Sequence, residues 1–139
     1  MEAAIRDNSW MLQNLYPHLL GFHGLFRWIV LATAVAAIFV TFSGWSGTKP
    51  PSTNLRRFSV IFVIAMDIEL LVGLLLYLGA SSSLRSTFAA HSVLMLLAVI
   101  CAHVGGASSR KARTDVMKYR GAAIAYTISL LLMLAGIPW

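Results

Sequence analysis

Apolar and polar positions along this chain separate on the scale of whole membrane crossings rather than of helix faces. Four apolar runs, residues 18–45, 58–79, 88–106 and 121–139, alternate with short polar stretches. Crossing about 30 Å of hydrocarbon takes about 20 residues of helix, and each run supplies that length. The separators are rich in Gly, Ser, Thr and Pro: GWSGTKPPSTNLRR over 44–57, a Ser-rich stretch over 80–87 and a basic one over 107–120. Such residues interrupt helices. The pattern predicts an all-α integral membrane protein, a four-helix bundle with spans at about 19–43, 58–79, 88–105 and 120–137. Gly105-Gly106 is expected to end the third span and Pro138 the fourth. Residues 1–17 are mixed and polar. They read as a tail or as a short interfacial helix built on Trp10, Leu12, Leu15 and Tyr16. The membrane domain is residues 18–139. No internal repeat is visible.

Composition agrees with this division. The chain has 139 residues, 58% hydrophobic and only 12% charged. A soluble domain carries about 25% charged residues. The single cysteine, Cys101, lies inside an apolar run and has no partner for an intrachain disulfide. The net charge of +6 does not point to nucleic acid, because the basic residues cluster between spans. Lys49, Arg56 and Arg57 lie in the first loop; Arg110, Lys111, Arg113, Lys118 and Arg120 lie in the third. The N-terminal stretch and the second loop hold Arg6 and Arg85. The positive-inside rule then places the first and third loops in the cytoplasm and both termini outside. Loops this short favour an up-down-up-down bundle. Trp28, Trp45, Tyr77 and Trp139 read as interfacial markers. The first residues have no basic, apolar and small-residue succession of a signal peptide. GxSxG, GxxxxGK[ST] and HExxH motifs are absent, so hydrolase and kinase chemistry has no anchor here.

Ionisable residues within the spans carry the functional signal, since each is costly in hydrocarbon. The first span holds His23 and Arg27, four residues apart and so on one helix face. The second holds Asp67 and Glu69, which a helix turns to different faces. The third holds His91 near its start and His103 near its end, about 18 Å apart along the helix. The topology puts His23 and His91 on the same, outer side. Two imidazoles from facing helices can clamp one flat cofactor, and the iron of b-type haem takes such axial ligands. His23 and His91 are the expected metal ligands. Arg27 is placed to neutralise a haem propionate and Met95, one turn below His91, to pack on the ring edge. His18 is the reserve ligand. The alternative is that the histidines only pack and hydrogen-bond. Asp67 and Glu69 either pair with other helices or belong to a proton path or quinone site.

These residues together resemble a family of small bacterial four-helix membrane proteins labelled cytochrome b-like. The resemblance rests on His23-Gly24-Leu25-Phe26-Arg27-Trp28 and on Asp67-Ile68-Glu69-Leu70-Leu71-Val72-Gly73 through Tyr77. It continues in His91-Ser92-Val93-Leu94-Met95-Leu96, in His103 with the basic stretch after it, and in Gly136-Ile137-Pro138-Trp139. It covers residues 22–139. Where that family's second span has glutamine, this chain has Glu69. The family label implies haem but no defined reaction.

The expected function is that of a membrane electron-transfer protein holding one haem b, or an accessory subunit of a respiratory or photosynthetic complex, in a bacterial inner membrane. Its partners would be the lipid bilayer, a larger membrane complex and a quinone, with no nucleic acid. The polar groups are too few for a self-contained enzyme. The alternative is a cofactor-free structural subunit. A small proton-coupled transporter rests only on Asp67 and Glu69, and no inverted repeat supports it.

Overall fold

A computed structural model describes residues 2–47, 50 and 52–137, with side chains from Asn14 onward. Five helices follow in order: α1 (Glu2–Phe42), α2 (Thr53–Gly79), α3 (Ser82–Thr87), α4 (Ala89–Lys111) and α5 (Asp115–Gly136). No strand occurs among the described residues. Four helices are long and apolar enough to cross a membrane, α1 over Asn14–Phe42 and α2, α4 and α5 over their full lengths. This is the make-up of a multi-pass membrane protein.

The long helices close a ring. α1 packs on α2 and α5, and α4 packs on the same two, so α1 and α4 stand diagonally across the bundle. Small residues hold the ring together. Ala34, Ala37, Ala98, Ala102, Ala122 and Ala123 are fully or almost fully buried. In a lipid environment the hydrophobic effect does not drive one helix onto another, so close backbone approach and van der Waals contact must. Ser129 Oγ adds an interhelical hydrogen bond to the Ala98 carbonyl at 2.7 Å. Large apolar side chains such as Leu25, Val35, Phe39 and Leu71 point outward, the inverse of a soluble bundle.

Local chemistry sets the helix starts. Ser52 Oγ accepts from Leu55 N, Ser81 Oγ from Leu84 N and Thr114 Oγ1 from Met117 N, so each side chain satisfies an amide that the first turn leaves free. Tyr119 fastens the first loop: its hydroxyl donates to the Pro50 carbonyl and accepts from Ser52 N. Arg120 donates from Nε to the Trp45 carbonyl and lies over the Trp45 ring, 5.5 Å from its centre.

Several details differ from the sequence reading. α4 runs through Gly105-Gly106 to Lys111. Gly105 is a packing site rather than a stop: the Tyr126 ring of α5 fills the space its Cβ would need. Trp28 is not an end marker. It lies midway along Asn14–Phe42, its ring is exposed, and the Arg27 guanidinium carbon lies 5.6 Å from the ring centre. α1 includes the N-terminal stretch and continues through Pro17 without a break. The Trp10 and Leu12 side chains lie outside the described residues, as do Lys49, Pro138 and Trp139. The Ser-rich connection is not bare loop, since it forms α3.

Candidate functional site

A cleft of about 480 Å³ opens at the end of the bundle where α3 lies. Its size is within the range of about 300–1,000 Å³ that holds small molecules and cofactors. His23, Arg27 and Gly24 of α1 line it, with Glu69 and Gly73 of α2 and His91 and Met95 of α4. Arg85 of α3 and Met133 of α5 complete the wall. His23, His91, Arg27 and Met95 are thus brought together. His18 is exposed and not part of the lining, and His103 lies elsewhere.

His91 sits in the first turn of α4, and its Nδ1 is 2.7 Å from the carbonyl oxygen of Gly136. A carbonyl only accepts, so Nδ1 carries the hydrogen and Nε2 keeps its lone pair. Gly136 permits this contact because Leu94 and Met95 occupy the space a Cβ would need. The α5 terminus therefore comes close enough to α4 to offer its carbonyl to the imidazole.

His23 is further along its helix than the sequence reading placed it, because α1 begins well before residue 18. Its Nδ1 lies 3.1 Å from Glu69 Oε1, in ion-pair range but not aligned as a hydrogen bond. Gly73 leaves room for the ring: a Cβ there would be 3.4 Å from His23 Cε1. Glu69 Oε2 and Arg27 Nε are both buried without a hydrogen-bond partner. Buried polar atoms normally have partners, so these orphans on one cleft, His23 Nδ1 with them, mark a place suited to a polar or charged ligand group.

The two imidazole centres are 6.2 Å apart and the ring planes are perpendicular, at 89°. An imidazole nitrogen binds a transition metal at about 2.0–2.1 Å, and the ring centre lies about 1.1 Å beyond it, so two imidazoles in line on one metal hold their centres about 6.3 Å apart. The observed spacing meets that requirement. Two imidazoles are few for a bare ion, which takes about four protein ligands. They suffice for a metal carried in a macrocycle that supplies the other positions. The residues present fit such a group: two imidazole centres at the right separation, Gly24 and Gly73 as bare stretches of wall, and two guanidinium groups.

The residues the sequence reading did not assign to the site are Glu69, Gly73, Arg85 and the Gly136 carbonyl. A carbonyl leaves no trace in a sequence. Glycines inside apolar spans were the available signal for Gly73 and Gly136. Asp67 and Glu69 do face apart, as helical rotation requires. Glu69 faces the cleft, whereas Asp67 pairs with His103, Oδ1 to Nε2 at 2.8 Å, outside it.

Comparisons of the chain with protein-family models, with curated proteins and with solved structures find no match.

Proposed function

We propose that this chain is a small membrane cytochrome: one b-type haem held between His23 and His91, near the outer face of a bacterial inner membrane. The observation that carries this reading is the 6.2 Å separation of the two imidazole centres beside the cleft. The bundle is up-down-up-down with both termini outside, as the loop charges favour. Bound haem would supply reversible one-electron chemistry at its iron, at a potential tuned by its axial ligands and their surroundings.

The chain's own residues do the rest. The Gly136 carbonyl takes the His91 Nδ1 hydrogen and turns Nε2 into the donor atom. The Glu69 carboxylate stands where it can do the same for His23, and such outer partners fix ring orientation and raise ligand basicity. Arg27 inside the cleft and Arg85 at α3 would offer positive charge to propionates, and Met95 would pack against the ring edge. Leu20, Leu70, Leu74 and Leu84 give the cleft walls an apolar lining. The protein would pass electrons between a membrane donor such as a quinol and an outer-face acceptor, as an electron-transfer or accessory subunit of a larger respiratory or photosynthetic assembly.

The test is an optical spectrum of the purified chain, oxidised and dithionite-reduced, with a pyridine haemochrome assay. About one haem b per chain, lost in His91→Ala and in His23→Ala while both variants still insert, is the expected result. A colourless protein after expression with ample haem sinks the proposal. It would favour the cofactor-free structural subunit, for which the His91–Gly136 hydrogen bond is a ready packing role.

A further inference from the structure

Asp67 and His103 form a second polar site, separate from the cleft and on the outside of the bundle. Asp67 lies about 21 Å along α2 from Thr53 and about 18 Å from Gly79. That is the middle of the hydrocarbon. The His103 ring is at the same level, because its Nε2 is 2.8 Å from Asp67 Oδ1. The two side chains are nevertheless 48% and 51% exposed. Around them lie Ile64 and Leu71 of α2 and Ile100 and Val104 of α4, all exposed. Ionisable side chains at membrane depth almost always face protein or water rather than lipid. A lone bundle leaves this pair facing lipid.

We infer that the α2–α4 face around Asp67 and His103 is the interface of a symmetric dimer of this chain. Hydrocarbon admits the pair only in a net-neutral form, as imidazolium with carboxylate or as imidazole with carboxylic acid. The observed hydrogen bond uses Nε2 and Oδ1. Nδ1 and Oδ2 remain, with no hydrogen-bond partner among the described residues. Every net-neutral form makes one of these two atoms a donor and the other an acceptor. The outward pattern is therefore self-complementary.

A two-fold axis along the membrane normal brings equal depths together, so the pair of one copy meets the pair of the other. Nδ1 of each then bonds Oδ2 of its partner, and four side chains close into one satisfied ring. An isologous interface requires this reciprocity of i with j and j with i. The exposed Ile, Leu and Val residues around the pair supply the apolar rim. A different protein on this face would need its own mid-membrane donor and acceptor at this depth; a second copy has them already. The inference does not depend on the cleft or on what the cleft holds.

The experiment measures the mass of the full chain in lipid nanodiscs, alone and as D67L/H103L, with helix content followed by circular dichroism. The wild type is expected at twice the chain mass. The double variant is expected at the monomer mass with its helix content kept. Independently, in a Cys101→Ala background, Ile100→Cys is expected to give disulfide-linked dimers on mild oxidation. Val35→Cys, on the diagonally placed α1 and equally exposed, is expected to give none. A monomeric wild type overturns the inference, as does a dimer that persists in D67L/H103L or cross-links through Val35→Cys as readily as through Ile100→Cys. Should D67L/H103L not insert, the cysteine pair decides alone.

Discussion

At the scale of single residues, the cleft joins two imidazoles whose second nitrogens have different neighbours. His91 has a fixed neutral acceptor, the Gly136 carbonyl. His23 has a carboxylate 3.1 Å away. Outer partners of metal-bound histidines are worth about 10–100-fold in affinity. Glu69→Leu is therefore expected to weaken haem retention by about that factor, read by haem transfer to apomyoglobin. Glu69→Gln keeps an acceptor oxygen in place and should retain haem nearly as well. Equal retention in wild type and Glu69→Leu would show that Glu69 does not position His23. His23 and His91 stood out in the sequence because an imidazole inside an apolar span is conspicuous. Their partners were not legible. Glu69 stood in the sequence as one of two acids of equal standing, and only the rotation of α2 sends it to the cleft and Asp67 to the outer face. Arg85 was hidden by its place in a Ser-rich stretch that folds as α3.

At the scale of helices, small residues let the helices approach closely around a core that includes Val30, Phe62, Met66, Tyr126 and Met133. The four spans were visible from hydropathy alone, since a run of about 20 apolar residues has few other uses. Their packing was not, because alanine and glycine positions have no apolar periodicity to betray the inner face. Gly105 shows the consequence. Read as punctuation, it ends a helix; in the structure it is where the Tyr126 ring of α5 packs against α4. Gly105→Val should force the two helices apart at a cost of about 1–3 kcal/mol, the usual penalty for overpacking. Gly21 is the internal control, since no atom lies within 4 Å of where its Cβ would be. Gly21→Ala is expected to leave stability unchanged or slightly raised. Thermal unfolding in mild detergent, followed by helix signal, separates the two. Equal melting of both variants would mean that α4 and α5 are not held by this contact.

At the scale of the whole molecule, charge and chemistry lie at opposite ends. Arg56 and Arg57 near the start of α2, Arg110 and Lys111 in the last turn of α4 and Arg113 just beyond it lie at one end of the bundle, and the His23–His91 cleft with α3 occupies the other. Basic residues favour the cytoplasmic side, so the proposed orientation, with the basic end inside, faces the cleft outward. In a Cys101→Ala background, Ser83→Cys should react from outside with a membrane-impermeant maleimide on intact cells. Arg113→Cys should react only after the membrane is opened. Reversed labelling would put the cleft on the cytoplasmic side.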